Sequence, residues 1–211
     1  MKFMTSVRAA IAATALALIP AASFATTVSS TQLTGANLDS ITPFANPAFT
    51  TAGPGVVENV NTTIPGTRLS PWTGSTLNSG GLFSSVPGGN TATYQFTQVQ
   101  KALSFIWGSP DTYNTLTLTL GGDLVAQVIP GGTPTGPGVS GNAPLAPQSG
   151  AWLFTADNTR FDGVSFFSGA NAFEIANFQT TPIPLPAAGW LLLTALGGVG
   201  LMSRRRKQSA A

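Results

Sequence analysis

Alternating apolar and polar residues mark the clearest strand of this chain. In residues 114–120, leucines occupy every second position from 116 onward, with threonines between them. This two-residue period is typical of a half-buried β-strand. A Gly-Gly pair at 121–122 separates this run from a second apolar run at 123–129. Because glycine adopts the positive φ angles of tight turns, the pattern predicts a β-hairpin.

The same criteria predict further short strands around this hairpin. They are residues 91–97, 102–107, 151–155, 163–167 and 172–178. Successive short strands joined by turns predict an all-β fold, specifically an antiparallel β-sandwich of the jelly-roll type. Its main strands occupy residues 91–178.

Two other stretches of this body are rich in turn residues. Residues 26–89 contain few apolar runs and many Gly, Pro, Ser and Thr residues, so we expect loops and edge strands there. Residues 130–150 are dense in Pro and Gly, which predicts an exposed loop inserted between strands. The predicted ectodomain as a whole spans residues 26–181.

The first 25 residues have the organisation of a secretory signal peptide. Two basic residues precede a short apolar run at residues 9–19, and small residues precede the bond between Ala25 and Thr26. The run is too short for a membrane span, which needs about 20 apolar residues. The pattern predicts that signal peptidase cleaves after Ala25 and that the body is exported.

Three features follow one another at the C-terminal end, over residues 182–207. A proline motif comes first and an uncharged apolar run second, and a basic cluster ends the segment. The motif is Ile183-Pro184-Leu185-Pro186-Ala187, and the cluster is Arg204, Arg205, Arg206 and Lys207. Because proline suits only the first turn of a helix, we expect a short transmembrane helix over about residues 187–202. The basic cluster favours the cytoplasmic side, which leaves the body outside.

This order of features resembles the PEP-CTERM family of C-terminal sorting signals. The motif is most similar to the Val-Pro-Leu-Pro-Ala variant, with Ile183 in place of Val, and Leu185 stands where the commoner form has Glu. The resemblance implies export across the inner membrane of a Gram-negative bacterium and transient anchoring in that membrane. It also implies cleavage near the motif by an exosortase, with the cell surface or extracellular matrix as the final location.

Two stretches of the body carry a weaker resemblance to ectodomains of the same family. Residues 103–116, LSFIWGSPDTYNTL, are similar to their central strands. Residues 173–178, FEIANF, are similar to their closing strand, Phe-Glu-x-Asp-Asn-x, with Ala176 in place of the Asp. Members of the family are associated with exopolysaccharide and biofilm matrix, and no activity comes with this resemblance.

The charge distribution excludes one class of partner. The chain has nine basic and seven acidic residues, but only three of the basic ones lie between the terminal segments. Three positive against seven negative charges leave a net charge of −4 for the body. No basic patch is available there to neutralise phosphates, so we predict no nucleic-acid partner.

Two residue types on which many catalytic sites depend, cysteine and histidine, are missing. The chain contains no cysteine and no histidine, which removes disulfides, thiolate metal ligands and the commonest general base. We therefore predict no catalytic residue and no cofactor.

Asp111 and Asn114 lie in a predicted turn between two strands. Their oxygen atoms suit calcium, but Asp and Asn are also common turn formers. We favour the turn role and predict no metal site.

Three acids in the later strands, Asp157, Asp162 and Glu174, are candidates for ligands or for the carboxylate pair of a glycoside hydrolase. Their spacing selects no pair. Glu174 alternates with Phe173 and Ile175, which predicts that it faces solvent.

The tryptophans are candidates for stacking on sugar rings, although large aromatic side chains more often fill a core. Trp107 and Trp152 lie in apolar strands and are expected in the core. Trp72 lies in a loop and is the better candidate for a ligand contact.

These observations predict an exported, non-enzymatic structural protein of the cell surface or biofilm matrix. A carbohydrate-binding module associated with exopolysaccharide is the alternative, and a glycoside-acting enzyme comes third. The expected partners are signal peptidase and an exosortase as processing enzymes, the membrane, and exopolysaccharide.

Overall fold

The computed structural model describes residues 25–77, 80–142, 145 and 150–184. Within them the chain is mostly β, with eleven strands and one short helix, α1 (Gly35–Asp39). The strands are β1 (Thr27–Gln32), β2 (Thr51–Ala52), β3 (Val57–Val60), β4 (Phe83–Val86), β5 (Asn90–Gly108), β6 (Asn114–Leu120), β7 (Asp123–Val128), β8 (Ser140–Asn142), β9 (Trp152–Asp157), β10 (Phe161–Ser168) and β11 (Phe173–Pro182). The predicted β-rich class is confirmed.

The strands pair in the order β3-β4-β11-β5-β10-β6-β7, and β9 joins β5 to β1. Pairings between the described strands are antiparallel except that of β1 with β8, which is parallel, so the sheet is mixed. β5 is the central strand because its 19 residues change partners along their length. Its first half pairs with β10 and β2, and its second half pairs with β11 and β9.

The strongest sequence patterns locate their strands well. β6 has the predicted bounds, and Gly121 and Gly122 form the predicted hairpin turn at φ values of 60° and 93°. The predicted strands at 91–97 and 102–107 are parts of one strand, β5.

The turn-rich regions contain more structure than their composition predicts. β4 is not an edge strand, because it pairs with β3 on one side and β11 on the other, and all four of its residues are buried. The predicted loop at 130–150 contributes β8, which pairs with β1, and the buried Leu145. The helix α1 was not predicted. It begins with a capping box formed by Thr34 and Asn37.

Two hydrophobic cores lie on opposite faces of β5 and β11. The main core is rich in aromatic rings, and Trp107 stacks on Phe173 with ring centroids 4.2 Å apart. The smaller core contains Leu38, Trp72, Phe83, Ile106, Ala151 and Ala176. Neighbouring residues of β5 and of β11 therefore enter different cores, and both faces are covered at the end of β5 and at the start of β11.

No helix among the described residues is long and apolar enough to cross a membrane. The predicted membrane helix at about 187–202, the basic cluster at 204–207 and residues 1–24 of the predicted signal peptide lie outside the described residues.

Candidate functional site

An open pocket of about 250 Å³ lies where three segments of the chain meet. The segments are the loop at residues 63–69, the turn at 109–113 between β5 and β6, and residues 171–174 at the start of β11. Asp111 and Glu174 are the acidic side chains among its described lining residues, and we call it the Asp111–Glu174 pocket. It brings together parts of residues 103–116 and 173–178.

Glu174 is buried, with only 3% of its surface exposed. Its Oε1 accepts a hydrogen bond from the backbone N–H of Leu69 at 2.9 Å, whereas Oε2 is buried without a hydrogen-bond partner. The pKa of this carboxyl is raised to about 8, mainly by burial. The backbone N–H groups of Leu69 and of Glu174 itself lower the pKa, and the negative charge of Asp111 adds to the increase.

The prediction that Glu174 faces solvent is wrong. The alternation with Phe173 and Ile175 does place it on the opposite face from the main core. That face is covered as well, by the loop at 63–69 and by the smaller core around Trp72. An alternating pattern identifies the face of a side chain and not what lies above that face.

The Tyr113 hydroxyl lies between two acceptors. Its oxygen is 2.6 Å from Asp111 Oδ2 and 2.6 Å from the carbonyl oxygen of Asn171. A phenol has one hydrogen to donate, so it satisfies one of these acceptors at a time. Burial, followed by its contact with Asp111, raises the pKa of the Tyr113 hydroxyl.

The 63–69 loop is a compact turn that covers the pocket. Ile64 and Arg68 exchange backbone hydrogen bonds of 3.0 Å in both directions, and Gly66 lies between them at a φ of 73°. The Asn171 side chain donates to the Gly66 carbonyl, which ties the loop to the start of β11. Arg68 lines the pocket, and its Nε donates to the Thr62 carbonyl at 3.0 Å.

Asn114, the predicted companion of Asp111, has a structural role. It is fully buried, and its Oδ1 accepts from the Ser168 hydroxyl at 2.8 Å. Its backbone N–H donates to the Asp111 carbonyl at 2.9 Å, as in the predicted turn. Of this pair, only Asp111 lines the pocket.

The other candidate acids lie elsewhere in the fold. The Asp162 carboxylate accepts from the backbone N–H of Gly121 at about 3 Å and so supports the β6–β7 hairpin. Asp157 ends β9 and lines a separate depression with Lys101. Neither acid lines the Asp111–Glu174 pocket.

The structure excludes the three tryptophans as exposed stacking platforms. Trp72, the predicted ligand contact, is fully buried, because the loop that carries it folds onto the smaller core. Its Nε1 donates to the Leu82 carbonyl at 3.1 Å, and Gly81 packs against the indole, where a Cβ would lie 2.3 Å from Cδ1. Trp107 and Trp152 are 0% and 7% exposed.

The C-terminal end of β11 leads directly into the predicted sorting motif. The Ile183 backbone N–H donates to the Val99 carbonyl at 2.9 Å, so pairing with β5 continues into the first residue of the motif. Pro184 is exposed. The remaining motif residues, Leu185, Pro186 and Ala187, lie outside the described residues.

The predicted signal peptidase site lies at the same end of the domain. The Ala25 carbonyl accepts from the Asn158 side chain at 3.2 Å, and the Thr26 hydroxyl donates to that of Thr159 at 3.0 Å. Asn158 and Thr159 also line a depression that includes Ile183. Both predicted processing sites therefore flank the turn between β9 and β10.

Among the described residues, no three His, Cys, Asp or Glu side chains gather in a metal-binding group. A cation in the Asp111–Glu174 pocket would depend on two carboxylates together with carbonyl or hydroxyl oxygens. Sequence reasoning missed the contributions of Leu69, Tyr113 and Asn171. The Pro65-Gly66 turn signal was the only local sign of the covering loop.

Comparisons with protein-family models, with curated proteins and with solved structures find no match to this chain.

Proposed function

We propose that this chain is an exported structural protein of a bacterial cell surface or biofilm matrix, displayed through a removable C-terminal sorting signal. The observation that carries the proposal is the adjacency of the two predicted processing sites. β1 starts at Thr27, the second residue after the predicted cleavage site, and β11 ends at Pro182, directly before the motif. The eleven described strands thus lie within the segment that would remain after both cleavages.

The arrangement suits a domain held close to a membrane by one end. Ile183, the first residue of the motif, follows Glu174 by nine residues along β11, which at ~3.3 Å per residue separates the pocket from the sorting motif by roughly 30 Å. The Asp111–Glu174 pocket then lies at the opposite end of β11 from the motif. Because Thr26 is buried, we expect signal peptidase to cleave before the domain folds.

We further propose that the domain is a β-sandwich of the jelly-roll type. The change of partners along β5 supports this architecture, since a long strand that leaves one set of neighbours for another can join two packed layers. The aromatic main core would then fill the space between the layers.

The structure does not support the residues on which the two alternative functions, carbohydrate binding and glycoside hydrolysis, depended. A carbohydrate-binding surface built on Trp72, Trp107 and Trp152 is incompatible with their burial. A glycosidase needs two carboxyl side chains that flank one substrate, and of the candidate acids Asp157, Asp162 and Glu174 only Glu174 lines the Asp111–Glu174 pocket. The geometry therefore favours the non-enzymatic proposal.

The sorting proposal is tested by the mass of the mature protein. We expect expression in a host with a functional exosortase to yield a chain without the tail at 204–207, and deletion of the exosortase to restore that tail. Intact-mass measurement of the purified protein distinguishes the two forms. A tail retained in the presence of the active exosortase would contradict the proposal.

A matched pair of proline variants separates motif recognition from general effects on the linker. Pro184→Ala changes the motif, whereas Pro182→Ala changes the last residue of β11, just outside it. We expect Pro184→Ala to accumulate uncleaved chain and Pro182→Ala to be processed like the wild type. Equal processing of both variants would count against recognition of the proline motif.

A further inference from the structure

The Asp111–Glu174 pocket contains more acceptor oxygens than hydrogen atoms to satisfy them. Glu174 Oε2 is buried without a partner, although unpaired buried polar atoms are uncommon and destabilise the folded protein. The single hydrogen of the Tyr113 hydroxyl serves either Asp111 Oδ2 or the Asn171 carbonyl. Glu174 Oε2 and one of these two acceptors therefore lack a donor from the protein at any moment.

Two acidic side chains and one basic side chain line the pocket, so its lining carries a net charge of −1 when both carboxyls are ionised. Arg68 is the basic residue among the described lining residues, and its Nε donates to the Thr62 carbonyl. A proton on one carboxyl would remove one charge and leave the other. A divalent cation would balance both charges and accept the free oxygen lone pairs together.

We propose that this pocket binds one calcium ion through the carboxylates of Asp111 and Glu174 and the carbonyl oxygen of Asn171. Calcium takes six to eight oxygen ligands in flexible geometry, so water and neighbouring carbonyls can complete its shell. Magnesium demands a near-ideal octahedron and loses its water reluctantly, which makes it the poorer match for this irregular oxygen set.

The segments that carry these ligands are held in place without an ion. The 63–69 loop is fixed by the Ile64–Arg68 backbone pair and by the Leu69 N–H bond to Glu174. Gly108 allows the chain around Pro71 to pack against the end of β5 beside Glu174, since a Cβ there would lie 2.7 Å from Pro71 Cγ. We therefore expect these segments to be in place before the ion binds, with the Glu174 carboxyl turning to expose Oε2, which is buried in the free protein. The ion would add stability without creating the fold.

Two carboxylates give a weak site, of the kind found in extracellular modules with Kd values of about 10⁻⁴–10⁻³ M. Such a site fills at millimolar calcium outside the cell. This proposal does not depend on how the C-terminal signal is processed, so either proposal can fail while the other stands.

The test uses the full chain, purified in detergent and stripped with EDTA. Calorimetric titration with calcium is expected to show one site, and calcium at about 10 mM is expected to raise the Tm by about 5 °C. Glu174→Gln and Asp111→Asn should each abolish this shift, since each removes one charged ligand. Asp123→Asn, an exposed acid in β7, is the matched control and should keep the shift.

Each outcome either supports or overturns the proposed calcium site. Loss of the shift in both pocket variants but not in Asp123→Asn supports the site, and a smaller shift with magnesium supports the preference for calcium. Absence of binding heat and of any Tm shift in the wild type would overturn the proposal. A shift that persists in Glu174→Gln and Asp111→Asn would also overturn it, because it would reflect ionic strength or another site. If Glu174→Gln fails to fold, Asp111→Asn decides alone.

Discussion

Two polar clusters attach loops to β11, and they differ in how completely their atoms are paired. The first is the Asn46–Asn177 cluster, in which the Asn46 side chain donates to the Ser84 hydroxyl at 3.1 Å and to the Ile175 carbonyl at 2.8 Å. Its Oδ1 accepts from the Phe178 N–H at 2.9 Å. The second is the Asp111–Glu174 pocket, in which Glu174 Oε2 has no partner.

Asn177 repeats the pattern of full pairing on the same strand. Its Oδ1 accepts from the Phe44 N–H and its Nδ2 donates to the Thr42 carbonyl, both at 3.0 Å. It occupies the left-handed region at a φ of 51°, beside the irregularity where β11 shifts register against β5. Asparagine tolerates this conformation better than most residues do.

The contrast separates buried polar side chains that hold the structure together, such as Asn46, from one that we propose binds a ligand, Glu174. Neutral amides with all their bonds made position a loop and cost little to bury. A carboxyl that is buried with one oxygen unpaired costs stability, and a ligand that pairs this oxygen would recover the cost. We therefore expect substitutions in the Asn46–Asn177 cluster to change stability and substitutions in the Asp111–Glu174 pocket to change ion binding.

The largest effect on stability is expected from Asn46→Ala. It leaves the Ile175 carbonyl and the Phe178 N–H without partners inside the protein, at a cost of about 3–4 kcal/mol in the free energy of unfolding. Urea denaturation measures this cost. Asn61→Ala, at an exposed position, is the control and should change stability by less than about 0.5 kcal/mol. Similar losses in both variants would show that the cluster has no special structural role.

A smaller loss is expected at Asn177, where two variants separate side-chain bonding from backbone strain. Asn177→Ala loses both hydrogen bonds and replaces asparagine by a residue that tolerates the left-handed region less well, at a cost of about 2–3 kcal/mol. Asn177→Gly loses the same bonds without that strain and should cost about 1 kcal/mol less. Urea denaturation of both variants measures the difference. A glycine variant less stable than the alanine variant would show that φ at this position is unimportant.

Tyr113→Phe should cost about 1 kcal/mol in EDTA, because it removes the one hydrogen shared by Asp111 and Asn171. The cost should be smaller when calcium is added, since the ion would bind the Asp111 and Asn171 oxygens that have lost the hydroxyl as a partner. Thermal unfolding with and without calcium gives both values. An equal cost under the two conditions would argue that the hydroxyl and the ion do not share ligands.

The sequence predicts those parts of the fold in which one face of a strand is buried and the other is not. β6 alternates leucine with threonine, and its bounds and its hairpin to β7 follow from that pattern. Residues 173–178 of β11 are buried on both faces, so the position of Glu174 in the alternation could not reveal its cover. The two-residue period carries no information about a second layer.

The pocket itself depends on contacts that are distant along the chain. Leu69 and Glu174 are 105 residues apart, and their hydrogen bond closes the site. Trp72 was assigned to a loop correctly, but its burial depends on Gly81, Ala176 and other residues that no local pattern joins to it. Composition could identify Asp111 as a turn residue and could not show which acid would lie beside it.

The smallest effect on stability is expected from Glu174→Gln in EDTA. Glutamine keeps the shape of the side chain and an oxygen for the Leu69 N–H, and it removes a carboxyl that burial and Asp111 both disfavour in its charged form. We expect a change within about 0.5 kcal/mol of zero by urea denaturation.

Glu58→Gln is the matched control for this substitution, because the Glu58 carboxylate also accepts from a backbone N–H, that of Phe49, at 3.2 Å. Glu58 is exposed, so its replacement should be equally mild and should leave any response to calcium unchanged. If Glu174→Gln instead cost as much as Asn46→Ala, the Glu174 carboxyl would be a structural group like the asparagines. The distinction between the two clusters on β11 would then fail.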